Sequence, residues 1–413
     1  MRPFQLPTGA GDLLPVEEAQ TRVLDEIAPG AVETVPLIEA HRRVLREDVT
    51  AADDVPCADN SAMDGYALRA ADTLNAPATL RVIGEMAAGR QPVIDVKQGT
   101  AVRIMTGAPI PDSADAVAQV EITDGGTESV TIASSVKAGV NIRRRGEDMR
   151  AGATVLRSGM VIGAAEIGAL ATAGRASVTV GRRPSVAILA TGDELVEAGQ
   201  RGGVVNSNSY ALAAMVRDAG GEPRLMEIVR DTKEATIRAI EAATESEFIL
   251  SSGGVSVGAY DFIREALVDL GAELRFWRVA MKPGKPVLFA RLRNRIFFGL
   301  PGNPASSMVS FHLFVGPALR KAAGQIDDLL PATIRAVATS SLKGVADRRT
   351  YVRVRIVVRD GTLRAEPIRV QGSHQVSSMV HSNGLAVLEA GTSGIDAGSE
   401  VPVILTGAIR SVI

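Results

Sequence analysis

Four apolar runs with the pattern of β-strands lie between residues 183 and 304, and each of them ends abruptly in a polar loop. The loops are Thr191-Gly192-Asp193-Glu194, Ser251-Ser252-Gly253-Gly254, Lys282-Pro283-Gly284-Lys285 and Pro301-Gly302-Asn303-Pro304. Helical patterns separate the runs at residues 185–190, 248–250 and 274–280. This alternation predicts an α/β unit with parallel strands, because a helix must carry the chain back between them.

Parallel strands bring their carboxyl ends to one edge of the sheet, which is where open α/β sheets bind ligands. The four loops would supply backbone N–H groups, hydroxyls, two ammonium groups and carboxylates at this edge. The N–H and ammonium groups suit phosphate, and carboxylate oxygens suit a hard cation. The sequence therefore predicts a site for a phosphate ester together with a metal ion such as Mg²⁺.

Carboxylates follow strands or begin helices in the same unit. Asp193, Glu194, Asp231 and Asp261 are placed where they could coordinate Mg²⁺ bridging a pyrophosphate. Asp231 and Asp261 could equally be helix N-caps, and Asp231 with Glu234 has the spacing of a capping box. Both interpretations stay open on the sequence alone.

Two of the loops have specific anion-binding features. Pro283 and Pro286 stiffen the backbone around Lys282 and Lys285, and such a pair of ammonium groups would attract a divalent oxyanion. The segment 251–256 is glycine-rich but lacks the spacing of a P-loop or a dinucleotide fingerprint. An exposed turn for the first loop and a tight strand-to-helix turn for the second are the plainer interpretations.

Composition excludes several classes of protein. Aromatic residues make up only 3% and the net charge is −2, so neither stacking platforms nor a basic surface for nucleic acid is expected. The single cysteine, Cys57, and four histidines at no ligand spacing predict neither a disulfide nor a zinc site. No signal-peptide pattern and no membrane-spanning apolar stretch are recognisable. We expect a cytoplasmic protein.

The length of 413 residues predicts roughly three domains. Helical patterns at residues 16–27 and 37–47 precede short β-rich runs up to about residue 145, which predicts an inserted β domain. Residues 146–180 are expected to return to the first domain. After the α/β unit, closed by a helix over residues 305–323, alternating patterns predict a separate antiparallel barrel or sandwich.

Seven strings occur in a distinctive order along the chain. They are Asp59-Asn60-Ser61-Ala62-Met63-Asp64-Gly65-Tyr66-Ala67, Arg103-Ile104-Met105-Thr106-Gly107-Ala108-Pro109, Arg145-Gly146-Glu147-Asp148, Ala187-Ile188-Leu189-Ala190-Thr191-Gly192-Asp193-Glu194-Leu195, Ser252-Gly253-Gly254-Val255-Ser256, Lys282-Pro283-Gly284-Lys285-Pro286 and Gly299-Leu300-Pro301-Gly302-Asn303-Pro304. Together they resemble the molybdopterin molybdenumtransferase family, which includes MoeA and the gephyrin E-domain. The similarity covers essentially the whole chain.

The resemblance implies a multidomain α/β plus β fold. Its parts are an elongated N-terminal domain (1–53 and 146–181), an inserted β domain (54–145), a central three-layer α/β molybdopterin-binding domain (182–328) and a C-terminal β-barrel domain (329–413). It also implies a homodimer, with the active cleft between the α/β domain of one protomer and the inserted β domain of the other.

The resemblance further implies a Mg²⁺-dependent transferase of molybdenum cofactor biosynthesis. Such an enzyme inserts molybdate into adenylylated molybdopterin and releases AMP, and its product is handed to molybdoenzymes or other proteins of the cofactor pathway. Two alternatives stay open. A molybdopterin adenylyltransferase uses a similar α/β domain, and animal members of the family also act as scaffolds that cluster receptors.

The family motifs imply a set of site residues in this sequence. The expected catalytic residues are Asp59, Thr106, Asp148, Glu194, Asp231, Asp261, Lys282 and Lys285, with Glu194, Asp231 and Asp261 on the metal. The expected cofactor-binding residues are Thr191, Gly192, Ser252, Gly253, Gly254, Ser256, Pro301, Gly302, Asn303, Pro304 and Ser306. A looser match in the barrel adds Arg348, Arg353 and Ser373 as molybdate contacts. Arg42 departs from the family pattern, which usually has glycine there.

Overall fold

The computed structural model describes residues 13–89, 94–254 and 262–411. Its first helix, α1 (Val16–Asp25), buries Val16, Ala19 and Val23. These residues recur every three or four positions, so they form one apolar stripe on the helix surface. The helix predicted from residue 16 onward is confirmed.

The helix predicted over residues 37–47 is wrong. After strand β1 (Val32–Pro36) the chain makes only a short 3₁₀ turn (Leu37–Glu39) and then runs irregularly to strand β2 (Val49–Thr50). Arg42 has a left-handed backbone (φ 61°), which an α-helix cannot contain. Val44 and Leu45 instead form isolated bridges with Val161 and Val180, so the apolar side chains here fill a small core in an extended segment.

The inserted segment is built of short strands, as predicted. They are β3 (Asn60–Ser61), β4 (Gly65–Leu68), β5 (Ala78–Met86), β6 (Thr100–Ile104), β7 (Ala116–Gln119), β8 (Ser129–Ile132) and β9 (Ile142–Arg143), with 3₁₀ turns at Ala70–Thr73 and Val120–Ile122. Five of them form a sheet in the order β7-β4-β6-β5-β8. Alternate side chains of this sheet enter two cores, one on each face.

The next segment returns to the first one. It contains β10 (Thr154–Leu156), α2 (Ala164–Thr172) and β11 (Ser177–Gly181). Strand β11 pairs antiparallel with β1, and β10 pairs antiparallel with β2. Two stretches more than 100 residues apart therefore share one small core. The domain boundaries given above stay predictions.

The central unit alternates strands and helices. Its elements are β12 (Ser185–Ala190), β13 (Leu195–Val196), β14 (Val204–Val205), α3 (Ser207–Asp218), β15 (Glu222–Leu225), α4 (Lys233–Ala243), β16 (Phe248–Ser252), α5 (Ile263–Asp269), β17 (Glu273–Trp277), β18 (Met281–Lys282), β19 (Leu288–Leu292), β20 (Arg295–Leu300), α6 (Pro304–Ser310), a π turn (Phe311–Val315) and α7 (Gly316–Ala322). The six-stranded sheet has the order β15-β12-β16-β20-β19-β17.

Strands β15, β12, β16 and β20 are parallel neighbours, which confirms the prediction for β12, β16 and β20, whereas β15 was not among the predicted runs. The expectation that β17 joins them through parallel pairing is wrong, because β19 separates it from β20 and is antiparallel to both. Only two residues connect β19 to β20, and so short a loop can join only antiparallel strands. Strand β17 nevertheless runs in the same direction as the parallel strands, so its carboxyl end lies at the same edge.

The sheet has a layer of helices on each face. Val186, Ile188 and Phe298 pack with residues of α1, α3 and α7. Their neighbours Ala187 and Phe297 point the other way and pack with α4 and α5. Successive strand residues alternate between faces, and both faces are buried, which explains why the strands read as continuous apolar runs. The predicted three-layer arrangement is confirmed.

The C-terminal segment is a closed five-stranded barrel. Its elements are β21 (Thr333–Ala338), β22 (Leu342–Lys343), β23 (Arg349–Arg359), β24 (Thr362–Pro367), α8 (Ser377–Val380), β25 (Gly384–Leu388), β26 (Gly394–Ile395), β27 (Glu400–Leu405) and β28 (Arg410–Ser411). The barrel closes in the order β23-β24-β21-β27-β25-β23. Strand β18 of the central unit pairs with β23. No helix in the described ranges is long and apolar enough to cross a membrane.

Candidate active site

The predicted loops meet at the carboxyl edge of the sheet. Ala190, Ser252 and Leu300 are side by side in the strand register, so the loops that follow β12, β16 and β20 begin next to one another. They enclose a first cavity of about 670 Å³. Predicted residues that line it are Thr191, Gly192, Glu194, Asp231, Ser252, Gly253, Gly254, Gly302, Asn303 and Pro304.

A residue that the sequence analysis missed holds two of these loops together. Asn208 donates from Nδ2 to Ser252 Oγ at 2.7 Å and to the Gly302 carbonyl at 2.7 Å. It lies in the first turn of α3, whose N-cap is Asn206. An asparagine at a helix start is usually read as a cap, so its sequence position gave no sign of this contact.

The loop after β16 requires glycine at position 254. Its backbone is left-handed (φ 67°), and an added Cβ would lie 2.6 Å from Ile263 Cγ1 and 3.1 Å from Thr191 Oγ1. Glycine alone has no steric cost in this conformation. The turn therefore keeps its backbone close to Thr191 at the cavity wall, and its glycine content has a packing reason.

The first cavity is acidic. Asp193 and Asp231 exchange hydrogen bonds from backbone N–H to carboxylate, both at 3.3 Å. Burial raises the pKa of Asp231, and the negative charges of Glu194 and Asp193 raise it further. Among the described residues, no lysine or arginine lines this cavity. A cation bound near Asp231 would relieve this repulsion.

The capping box predicted for Asp231 is wrong. Helix α4 has Thr232 as its N-cap, and the Thr232 side chain accepts a hydrogen bond from the Ala235 N–H. Asp231 does not cap the start of this helix, so its carboxylate is available to the cavity. The structural interpretation that competed with a ligand role is thereby removed for this residue.

The carboxylates fit Mg²⁺ in part. Glu194 and Asp231 line one cavity, while Asp261 and Ser256 lie outside the described residues. Within the ranges that the structure describes, no group of three or more His, Cys, Asp or Glu side chains is arranged to hold a metal ion. Mg²⁺ commonly uses one or two carboxylates and completes its shell with water and substrate phosphate. The donor pair Glu194 and Asp231 suits that mode.

A second cavity of about 700 Å³ lies between the central unit and the barrel. Its lining is strongly basic, with Lys282, Lys285, Lys343, Arg348 and Arg353, and it also includes the predicted residues Ser306 and Ser373. No Asp or Glu among the described residues lines it. The structure thus brings together lysines and arginines that are about 70 residues apart in the sequence, in a space that suits an anion.

Arg353 is the most buried of these cations, with 1% of its surface exposed. Its Nη2 donates to the Gly372 carbonyl at 3.3 Å, while its Nε is buried without a partner in the described part of the chain. Burial lowers the pKa of its guanidinium. Gln371 fixes the Arg353 backbone by bonding both its N–H and its carbonyl. A buried cation with an unused donor is a favourable contact for an oxyanion.

The two cavities meet at Asn303, which lines both of them. Its Nδ2 donates to Ser373 Oγ at 3.1 Å, and the Ala305 N–H donates to the Ser373 carbonyl at 3.0 Å. The Pro-Gly-Asn-Pro loop is therefore anchored on the barrel. Pro301, also predicted for the site, is buried and lines neither cavity.

The predicted residues of the inserted domain lie elsewhere in the chain. Asp59 accepts from Arg144 Nη1 at 2.6 Å and from the Arg145 N–H at 2.8 Å, and the latter bond is the main reason that its pKa is lowered. Thr106 and Asp148 are exposed. None of the three lines either cavity, so a single chain does not bring them to Glu194 and Lys282.

Three family models match consecutive parts of the chain. The MoeA N-terminal region (domain I and II) matches residues 14–174, the probable molybdopterin binding domain matches 187–321, and the MoeA C-terminal region (domain IV) matches 335–406. The first range contains the first N-terminal segment from residue 14, the inserted sheet, and the second N-terminal segment as far as α2 but not β11. The second contains both the acidic loops and the Lys-Pro-Gly-Lys loop.

Whole proteins are also similar to this chain. A molybdopterin molybdenumtransferase of Haemophilus influenzae is 36% identical over 95% of this chain and 98% of its own length. One from Nostoc is 38% identical over 90% of this chain and 88% of its own length. The crystal structure of a molybdopterin biosynthesis moeA protein from Pyrococcus horikoshii has a TM-score of 0.83 at 31% identity, covering 95% of this chain and 100% of that one. This chain belongs to the molybdopterin molybdenumtransferase family.

Proposed function

We propose that this protein is a Mg²⁺-dependent molybdopterin molybdenumtransferase, which converts adenylylated molybdopterin and molybdate into molybdenum cofactor and AMP. One observation carries the proposal: an acidic cavity and a basic cavity adjoin at Asn303. The acidic cavity suits a nucleotide-bearing pterin whose phosphates bind a metal ion. The basic cavity suits a free oxyanion. The reaction needs both substrates next to each other.

The basic cavity is the proposed molybdate site. Molybdate is a tetrahedral dianion, and Lys282, Lys285 and Arg353 supply positive charge without a competing carboxylate in the described lining. Gly284 allows the lysine loop to pack closely against Met281. Any larger residue would place its Cβ 2.6 Å from Met281 Cε. Ser306 and Ser373 add hydroxyls that can donate to the remaining oxygens. Charge and hydrogen bonds together would hold the anion in one orientation.

The acidic cavity is the proposed site for the adenylylated pterin. Gly253 and Gly254 offer backbone to a phosphate, and Asn208 fixes their loop against Gly302. Glu194 and Asp231 would hold Mg²⁺, which when bound would neutralise charge on the pyrophosphate. Without such a cation, two carboxylates facing a phosphate would repel it.

Catalysis in this proposal depends on positioning the two substrates next to each other. The dithiolene sulfurs belong to the pterin, so the protein needs no thiolate, in agreement with its single, exposed cysteine Cys57. Two substrates held on either side of Asn303 would react as if at high local concentration. Glu194 and Asp231 would hold the Mg²⁺ whose charge, when it is bound, offsets the negative charge that leaves with AMP. No covalent enzyme intermediate is required.

The homodimer is also part of the proposal. Asp59, Thr106 and Asp148 are accessible on the inserted domain and line neither cavity of their own chain, so a second copy would have to supply them. Asp59 is held as an anion by Arg144 and the Arg145 N–H, which suits a fixed contact from across an interface. A cytoplasmic location and transfer of the product to molybdoenzymes complete the proposal.

The central test is AMP release from adenylylated molybdopterin with Mg²⁺ and molybdate. Glu194→Ala and Lys282→Ala should each slow release at least tenfold, since each removes a charge that faces a substrate. Glu128→Ala and Lys137→Ala are matched controls at exposed positions outside both cavities. Unchanged rates for both site variants would refute the assignment of the two cavities.

The same preparation separates the alternatives. If the protein consumed ATP to adenylylate metal-free molybdopterin, and released no AMP when molybdate was added, adenylyltransferase activity would replace the proposal. If it dimerised but did not bind the adenylylated pterin, a scaffold role would replace it.

A further inference from the structure

A third cavity lies away from both proposed substrate cavities, where the N-terminal segments meet the central unit. It has a volume of about 300 Å³. Arg42, Arg43 and Gly181 line it from one side, and Asp218 and Arg320 line it from the other. None of these residues belongs to the site described above.

The cavity carries an excess of positive charge. Its lining includes three arginines and a single acidic residue, Asp218. Arg43 pairs with Glu33 outside the lining, whereas Arg42 and Arg320 have no ion pair within the described residues. Burial lowers the pKa of Arg320, and burial together with the charge of Arg43 lowers the pKa of nearby Arg183. This charge is costly to keep without a counterion.

The cavity also offers unused hydrogen-bond donors. Arg43 is 7% exposed; its Nη2 donates to Glu33 and to the Gly181 carbonyl at 2.8 Å, but its Nε is buried without a partner in the described part of the protein. Arg320 donates from Nε and Nη2 to the Leu329 carbonyl, which leaves its Nη1. The side chain of Arg42 forms no hydrogen bond among the described residues and is exposed at the rim.

An alternative is that these arginines only join two parts of the chain. Direct packing already does this, because a Cβ on Gly181 would lie 1.8 Å from the Ala323 carbonyl oxygen. A purely structural role also gives no reason for an arginine at position 42, where the left-handed backbone strongly favours glycine. A function for the Arg42 side chain would explain why this strained residue is present.

We propose that this cavity binds a phosphate group, held by the guanidinium groups of Arg42, Arg43 and Arg320. Arginine forks match the oxygens of a tetrahedral oxyanion and bind them through charge-assisted hydrogen bonds. A bound phosphate would neutralise the excess charge and use the free donors. Because its ligands come from both sides of the junction, it would also tie the N-terminal segments to the central unit.

The experiment uses inorganic phosphate as the probe. The background protein carries Lys282→Ala and Lys285→Ala, which weaken anion binding in the second cavity. Phosphate is titrated calorimetrically at constant ionic strength, with chloride as the balancing anion. We expect one site per chain in this background, and we expect Arg42→Gly to weaken it at least tenfold.

Arg42→Gly is a clean test because the backbone conformation at this position suits glycine, so folding is preserved. Arg69→Gln removes the same charge from an exposed position outside the cavity and should leave phosphate binding within twofold of the background. Should the double-lysine background not fold, the rise in thermal midpoint caused by phosphate is compared among the parent, Arg42→Gly and Arg69→Gln chains. No binding in the background, or equal effects of the two arginine variants, would overturn the proposal.

Discussion

At the scale of single residues, the site depends on groups that fix the orientation of their neighbours. Asp64 is an example that the sequence analysis did not assign. Its Oδ1 accepts from the Thr106 N–H at 2.7 Å and from Thr106 Oγ1 at 2.8 Å. These two bonds lower the pKa of Asp64, so it is ionised at neutral pH and keeps the Thr106 hydroxyl proton turned toward itself. Thr106 can then offer only acceptor lone pairs to a ligand.

We therefore predict that Asp64→Ala slows AMP release about tenfold, because Thr106 loses its fixed rotamer and its role as an acceptor. The thermal midpoint should change little, since both side chains are exposed. Asp64→Asn keeps an acceptor oxygen and should recover most of the rate. Asp112→Ala, at another exposed position of the inserted domain, is the control. Full activity of Asp64→Ala would show that Thr106 does not contact substrate in this orientation.

Some residues of the two cavities could be predicted from the sequence, and others could not. The loops containing Thr191, Ser252 and Asn303 could be placed at one edge because strand direction fixes where they emerge. Asn208 and Lys343 could not be predicted, since their place in the two cavities depends on tertiary packing. The grouping of Lys282 with Arg353 followed only from the resemblance.

At the scale of elements, two neighbouring residues at the start of α4 have different roles. Thr232 caps the helix, whereas Asp231 lines the acidic cavity. Thr232 caps α4, and loss of its hydroxyl should lower the free energy of unfolding by about 1 kcal/mol. We predict this loss for Thr232→Ala and its recovery in Thr232→Ser, measured by urea denaturation.

Asp231→Ala should behave in the opposite way. Because burial and neighbouring carboxylates raise the pKa of Asp231, its ionised form destabilises the folded state. Its removal should leave the unfolding free energy unchanged or raise it at pH 7. This benefit should shrink as the pH falls through the raised pKa, where the parent carboxyl is protonated. A loss equal to that of Thr232→Ala would restore Asp231 as the cap.

The elements that were predicted well share one property, which is a clear local pattern. Strands β12 and β16 read as apolar runs because both faces of the sheet are buried. The false helix at residues 37–47 had a helical pattern whose side chains serve a core formed with β11. Strand β25 is also a fully buried apolar run, and its place in the barrel depends on pairing with β23 and β27, which local sequence does not show. In each case long-range packing decided what local periodicity could not.

At the scale of the whole molecule, Arg349 joins the two ends of the chain. It pairs with Glu17 in α1 and with Glu389 in the barrel, the latter at 2.6 Å. Its side chain is 19% exposed, whereas the two carboxylates are mostly exposed. Burial works against its charge, but the hydrogen bonds to Glu17 and Glu389 outweigh this and raise the pKa of Arg349.

We predict that Arg349→Met lowers the unfolding free energy of the barrel by about 1–2 kcal/mol. This loss is smaller than for a fully buried pair, because solvent screens the two carboxylates that lose their partner. The loss should shrink as the pH falls through the lowered pKa of Glu17, because protonated Glu17 no longer pairs with Arg349 in the parent protein. Arg359→Met, which breaks the partly exposed pair with Glu366, is the matched control and should cost less than about 0.5 kcal/mol. Equal effects of the two variants in thermal denaturation would contradict this assignment.

The pairing of β18 with β23 has a mechanical consequence. Met281 and Lys282 are hydrogen-bonded in register with Arg349 and Thr350, so the backbone of the lysine loop is a strand of the barrel sheet as well as a part of the central unit. Any swivel of the barrel must carry Lys282 along with Arg353. The positive charges around the proposed oxyanion site would then move together, and the Pro-Gly-Asn-Pro loop of the acidic cavity would follow, because Asn303 and Ala305 are hydrogen-bonded to Ser373. A displacement of the barrel would therefore alter the oxyanion site and one wall of the acidic cavity at the same time.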